Sequence, residues 1–145
     1  GTYGAMFGIF LAQKIKNKPY TVVGNGKQKR DFTYVSDIVD AIVKASRLKK
    51  NQLVINIGSG KCFSVNYIVK LLGGTKTYIP KRPGEPDITW ANINKAKKIL
   101  NWQPKISIEK GVKILLVNIS LWRSAPIWDK KKIKIATMDW FKYLK

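Results

Sequence analysis

Apolar residues fall at helical spacing between Met6 and Lys16, with Met6, Phe7, Phe10, Leu11 and Ile15 on one face, and this predicts an amphipathic helix. Asn17-Lys18-Pro19 stops it. Tyr20 to Val23 then reads as a short strand broken at Gly24-Asn25-Gly26, and Phe32 to Val35 as a second. Ser36 is placed to cap a helix running to about Arg47, with Ile38, Val39, Ile42 and Val43 turned inward. Leu53 to Ile57 is a nearly unbroken apolar run ending in Gly58-Ser59-Gly60, the pattern of a strand buried on both faces.

Downstream, Ser64 caps a predicted helix over Val65 to Leu72 that Gly73 can end. Thr75 to Ile79 is a short strand. Asn92 or Asn94 opens a helix to Leu100, and Ser107 with Glu109 starts a longer one through about Arg123, with Pro126 beyond its end. Lys130 to Leu144 reads as a closing helix with Ile133, Ala136, Trp140 and Phe141 on its apolar side. Strands alternating with helices predict an α/β unit of three or four short strands and five or six helices. That sheet is thin, and the Leu53 to Ile57 strand asks for neighbours on both sides that this count does not supply.

The chain of 145 residues suits one domain without an internal boundary. No apolar run reaches the roughly 18 residues that cross a bilayer, so no membrane partner is expected. A single cysteine, Cys62, forbids an intrachain disulfide and fits a reducing cytoplasm. There is no histidine, so histidine catalysis and the usual zinc sites are out, and no metal site is expected. The net charge of +20 would attract any anion. Yet only four of the 28 basic residues are arginine, the better reader of base edges and phosphates. Without an arginine cluster or a stacking motif, a nucleic-acid surface is disfavoured.

Two stretches carry candidate chemistry. In Val22 to Val35, VVGNGKQKRDFTYV, two glycines flank Asn25 and permit a tight turn, and Arg30 follows it. A diphosphate calls for planar, permanently charged donors, which Arg30 supplies unless Asp31 or Asp37 engages it. In Lys81 to Asp87, KRPGEPD, Pro83 and Pro86 stiffen a loop where Gly84 lets backbone approach a ligand. Arg82 can meet a phosphate there while Glu85 accepts from ribose hydroxyls; the alternative for Arg82 is a plain surface arginine. Asp87, Trp90 and Trp102 read as structural. GSGK at positions 58–61 is not a P-loop, because Ile55 stands where the first glycine belongs and Cys62 where Ser or Thr must follow the lysine.

Taken in this order, the two stretches resemble the substrate half of the NAD-dependent epimerase/dehydratase family, the extended short-chain dehydrogenase/reductases, and UDP-glucose 4-epimerases in particular. The family pattern GDG-x-Q-x-RDF-x-Y-V is met with Asn25 in place of aspartate. N-x-G-x-G is met by Asn56, Gly58 and Gly60, and the run ITWANINKAKKILNWQPKISIEKGV is similar to the family's closing motifs, with Asn92 and Asn101 as departures. The resemblance implies a nucleoside-diphosphate sugar as ligand, held by Arg30, Arg82 and Glu85 with Thr21 and Val23 against the base.

It also implies a fold: the C-terminal part of an extended Rossmann-type epimerase, without the N-terminal NAD-binding half. In a complete member NAD would oxidise the sugar at C4 and return hydride to the other face. No GxxGxxG turn occurs in this chain. Nor does the family's tyrosine with a lysine four positions on. Tyr3, Tyr20, Tyr34, Tyr67 and Tyr78 are followed at that spacing by Phe7, Gly24, Ile38, Leu71 and Arg82, and Tyr143 lies too near the end. The expectation is a chain with no catalytic residue of its own and no cofactor bound alone, inactive in isolation. It would pair with a separate Rossmann half or form a homodimer. The alternative is a non-catalytic basic binding module or relic fragment.

Overall fold

The computed structural model describes residues 5–49 and 53–144. Among them are seven α-helices, more than the five or six expected, and five short strands. The first helix, α1 (Met6–Ile15), leads through Asn17, in the left-handed region at φ 51°, to β1 (Tyr20–Val23). β1 pairs in parallel with β4 (Lys76–Ile79), Tyr20 opposite Lys76 and Val23 opposite Ile79. A second sheet has the order β3-β2-β5. Its central strand β2 (Lys29–Arg30) runs antiparallel to β3 (Phe63–Ser64) and parallel to β5 (Ile88–Thr89).

The main core gathers Phe10 and Leu11 of α1, Tyr20 and Val22 of β1, Ile68 and Leu72 of α3 (Val65–Leu72), and Ile108 and Val112 of α5 (Ile108–Val117). Both later helices are capped as their sequences require. The Ser64 hydroxyl accepts from Tyr67 N–H, and that of Ser107 from Lys110 N–H. Buried Gln13 ties this core together. Its amide donates to the Thr21 hydroxyl at 2.9 Å and to the Trp128 carbonyl at 2.7 Å, while its own carbonyl accepts from Thr21 N–H.

A second cluster joins α2 (Val35–Ser46) to α4 (Asn94–Leu100) through Ala41, Ala96, Leu100 and Trp102. Here the structure reverses an expectation. α2 turns Asp37 and Ala41 inward, and leaves Val35, Val39, Ile42 and Val43 between 41% and 66% exposed. The reason is polar. The Asp37 carboxylate accepts from the N–H groups of Lys105 and Ile106, and its carbonyl takes the indole N–H of Trp102 at 3.0 Å. Ala41 is small enough for α4 to approach closely. Ser36 is not the cap, since Tyr34 precedes the first turn and makes no side-chain cap bond.

Three further expectations change. Phe32 to Tyr34 is irregular, and the strand lies just upstream at Lys29–Arg30. The Leu53 to Ile57 run pairs with no strand among the described residues; Ile55 and Ile57 rest on the α4 cluster, while Val54 is 81% exposed. The closing helix is two, α6 (Lys130–Ala136) and α7 (Met138–Tyr143), divided at buried Thr137, whose hydroxyl donates back to the Ile133 carbonyl at 2.8 Å. Likewise the predicted helix to Arg123 stops at Val117 and continues as a 3₁₀ turn over Ile119–Trp122. No described helix is long and apolar enough to cross a membrane.

α3 and α5 are joined by Tyr67, whose hydroxyl donates to Glu109 Oε1 at 2.7 Å. That bond holds the Glu109 carboxyl below its usual range and lifts the Tyr67 phenol above its own. A depressed carboxylate stabilises the fold above its ordinary pKa and loses that contribution as pH falls through the folded value; a raised phenol stabilises below its ordinary pKa and loses it as pH rises through the folded value. With no histidine to titrate between them, urea midpoints are expected to be flat between roughly pH 5 and 9 and to fall on both sides. Glu109→Gln should shrink the fall on both flanks; flanks identical to wild type would rule this pair out as a contributor.

Candidate functional site

Residues Val22 to Val35 are locally shaped by two glycines. Gly24 and Gly26 have φ of 57° and 72°, and a Cβ on Gly26 would lie 2.5 Å from Asn66 Oδ1 and 2.8 Å from Val22 Cγ1. Between them Asn25 Oδ1 accepts from Lys27 N–H, closing a turn. The turn is fixed to α3 by Asn66, which donates its amide to the Asn25 carbonyl and its backbone N–H to the Gly26 carbonyl. From there the chain enters β2 and delivers Arg30.

The KRPGEPD loop arrives beside Arg30 through β5. Lys29 N–H donates to the Asp87 carbonyl at 2.8 Å and Asp31 N–H to the Thr89 carbonyl at 3.0 Å. Two motifs distant in sequence thus lie edge to edge. Arg30 Nη2 meets Glu85 Oε1 at 3.1 Å, the side chains 23% and 22% exposed. The alternative partners for Arg30 are committed elsewhere. Asp31 accepts from the N–H groups of Ser59, Gly60 and Ala91, and Asp37 from those of Lys105 and Ile106.

All five residues that the sequence singles out line one cavity of about 270 Å³: Thr21, Val23, Arg30, Arg82 and Glu85, over apolar walls that include Phe10 and Phe32. A second cavity of about 500 Å³ adjoins it across Val23, Gln28 and Glu85, and is bordered by Lys27, Lys81 and Asp87. Arg30, Arg82, Lys27 and Lys81 stand against two carboxylates, so the paired clefts favour an anion. Across the mouth, Lys81 Nζ bonds Asp87 Oδ1 at 2.7 Å. That hydrogen bond, with Arg30 adding its charge, holds the Asp87 carboxyl below the usual carboxylate range. Both groups of the pair are well exposed, so it contributes little to stability.

The five do not offer equal chemistry. Thr21 is 6% exposed, with hydroxyl and N–H both taken by Gln13. Val23 differs. Tyr20 N–H donates to the Thr75 carbonyl, just before β4, and Gly24 N–H to that of Ile79, and alternation along the strand turns the Val23 N–H to the opposite edge. Gln28 donates to the Val23 carbonyl at 3.0 Å, beside that edge. Sequence reasoning missed Gln28 as a wall of both clefts and Gln13 as the support of β1. A signal for Gln13 existed: it is the polar interruption, at helical spacing from Met6 and Ile9, of an otherwise apolar face.

Trp102 is structural as expected, buried with its indole bonded to Asp37, whereas Trp90 is exposed on the second cluster's side. Among the described residues no group of cysteine and carboxylate side chains could hold a metal. A dinucleotide would need a strand-to-helix turn with open N–H groups. At the direct strand-to-helix junction of β3 and α3, the first N–H groups, of Val65, Asn66 and Tyr67, are already bonded to the Gln28 carbonyl, the Gly26 carbonyl and the Ser64 hydroxyl.

Residues 3–58 match the profile of the NAD dependent epimerase/dehydratase family. A UDP-glucuronate 4-epimerase of Thermodesulfobacterium geofontis is 39% identical over 111 residues, 72% of this chain and 34% of that protein. UDP-glucuronic acid decarboxylase 1 of Arabidopsis thaliana is 35% identical over 117 residues, 75% of this chain and 26% of its own length. Among solved structures, the UDP-glucuronic acid 4-epimerase of Bacillus cereus, in complex with UDP-glucuronic acid and NAD, superposes with a TM-score of 0.75 at 35% identity, covering 81% of this chain and 40% of that one. The chain therefore spans about a quarter to a third of the length of the curated relatives it matches.

The Gly26 turn gives a direct test of how the cleft is built. Gly26→Ala adds a Cβ where Asn66 and Val22 stand, in a left-handed conformation, and should cost about 1–3 kcal/mol in urea denaturation. A variant as stable as wild type would show that the turn relaxes freely and does not shape the cleft.

Proposed function

Because this chain belongs to the NAD dependent epimerase/dehydratase family over the residues it spans, we propose that it binds a nucleoside-diphosphate sugar, as the substrate-binding portion of a UDP-hexose 4-epimerase-like enzyme or a related dehydratase. The observation that carries the reading is the convergence of Arg30, Arg82 and Glu85 with Thr21 and Val23 on one cavity. Arg30 and Arg82 face the diphosphate, each offering a planar set of donors. Glu85 holds Arg30 by one oxygen and keeps further lone pairs for ribose hydroxyls. The outward N–H of Val23 serves the base, and Thr21 shapes the wall beside it.

These roles are positional. Binding energy collected on the nucleotide, remote from the reacting carbon, holds the sugar in place for chemistry performed by other groups. No residue of this chain is assigned a proton or hydride step. NAD belongs to the reaction of complete relatives, where it supplies the hydride acceptor, and the α3 terminus of this chain has no open N–H seat for it. We assign that seat to an α/β partner portion, which covers the exposed face of α2 and extends a strand along the Leu53 to Ile57 run. An unpaired extended segment of apolar residues is a template for such pairing.

Titration calorimetry with UDP-glucose tests the reading. Arg30→Ala and Arg82→Ala should each weaken binding by about tenfold or more, the worth of a charge-assisted hydrogen bond. Arg47→Ala, on the exposed end of α2 away from the clefts, should leave binding unchanged. Equal affinities across all three variants would sink the proposal. Addition of NAD to the chain alone should produce no UDP-galactose from UDP-glucose, and measurable interconversion would overturn the assignment of chemistry to another portion.

A further inference from the structure

The C-terminal helices reach the nucleotide cleft from behind. α7 sends Trp140 to the KRPGEPD loop, where its indole N–H donates to the Pro83 carbonyl at 2.9 Å. The neighbouring Arg82 guanidinium lies over the same ring, 5.2 Å from its centroid. A guanidinium directs its N–H donors outward in its own plane and leaves its faces free to stack. The ring beside Arg82 restrains its side chain through a cation–π contact. Arg82 also borders the cavity that holds Arg30 and Glu85, so Trp140 acts on that site through Arg82.

The arm that carries Trp140 is itself anchored. Trp128, just before α6, gives its carbonyl to buried Gln13 of α1. Ile133 and Thr137 are 3% and 5% exposed. At Thr137 the helix breaks, and α7 takes up the direction that brings Trp140 onto the loop. Trp140 adds to the other contacts that this loop makes. Glu85 N–H reaches the Arg82 carbonyl at 3.4 Å, and the Lys81–Asp87 bond closes the exposed mouth.

We infer that Trp140 is a positioning residue for the nucleotide site: it clamps the Arg82–Pro83 segment and presents the Arg82 guanidinium to the diphosphate. The inference rests on the nucleotide-sugar reading above and adds to it a residue outside both motifs. A long arginine side chain loses rotamer freedom on binding an anion, and restraint before binding reduces that loss. Trp140 touches the arginine and the loop carbonyl, with no contact to ligand required.

Affinity for UDP, measured on the whole chain with Trp140 and Arg82 varied singly and together, decides the matter. Trp140→Ala should weaken UDP binding about tenfold, and Trp140→Phe, which keeps a ring for the guanidinium, should stay within about threefold of wild type. In an Arg82→Ala background, Trp140→Ala should change affinity by less than about twofold, because its effect passes through the arginine. The same loss with and without Arg82 would mark general damage to the fold and overturn the inference, as would wild-type affinity in Trp140→Ala. Amide exchange at Glu85 in the ligand-free chain reads the clamp itself. It should quicken in Trp140→Ala, and unchanged exchange overturns the clamp even where UDP binds. A wild-type chain that ignores UDP while Trp140→Ala still quickens that exchange overturns the nucleotide reading instead.

Discussion

One carboxylate holds the binding half of this molecule in register. Asp31, at the end of β2, accepts from Ser59 N–H at 2.6 Å, Gly60 N–H at 3.1 Å and Ala91 N–H at 3.2 Å, with the Thr33 hydroxyl at 3.2 Å. Those groups belong to three separate stretches of chain. A charged acceptor binds backbone N–H groups more strongly than a neutral one, and these stretches have little regular structure of their own to fix them. The two-residue pairing of β2 with β5 is too short to set register unaided. With Ala91 held beyond β5 and the 58–60 turn held beside β2, the KRPGEPD loop has a fixed exit, and Glu85 comes within reach of Arg30. Gly58 completes the arrangement, since a Cβ there would lie 2.6 Å from Asp31 Oδ2 and 2.5 Å from the Ala91 Cβ.

The residues that line the cleft were more legible in the sequence than the packing of the helices around it, for a physical reason. Turn glycines, arginine beside a strand and a proline-stiffened loop are local signals, and local chemistry survives whatever the rest of the chain does. Thr21 shows the limit of such signals. Its position beside the cavity was readable, but its engagement by Gln13 depends on how α1 packs over β1. The strand β5 was missed because two residues carry no periodicity. The division of the last helix at Thr137 was missed because its apolar spacing continues across the break.

α2 went wrong more instructively. Its apolar stripe is real, and the expectation that it faces inward is the ordinary inference from amphipathicity. What the pattern cannot encode is which partner the stripe meets. Within this chain Asp37 wins the contest for the interior, because two loop N–H groups and an indole depend on it. Leu53 to Ile57 repeats the lesson. Its composition demands a buried strand, and the residues described here provide no neighbouring strand. Both departures leave apolar surface on the side of α2 and the 53–57 segment, and both are resolved by one assumption, a partner packed there. A basic module with a self-sufficient core would not be expected to leave a helical stripe together with exposed Leu53 and Val54 uncovered.

That asymmetry bears on how work is divided. The candidate cleft is assembled from contacts internal to the chain: the Gly26 turn on α3, β5 on β2, Trp140 on Pro83. It does not wait for the uncovered face. If the proposed division holds, with the binding site in one portion and reactive groups in another, the sugar's placement is the product of their relative docking. On the proposed reading, the anchor residues would determine where the diphosphate sits, and the interface what the sugar then faces. Arg30 is restrained by Glu85 on one side of the cleft and Arg82 by Trp140 on the other. Two cations are thereby restrained beside one cleft, so on the proposed reading part of the ordering is done before a diphosphate arrives.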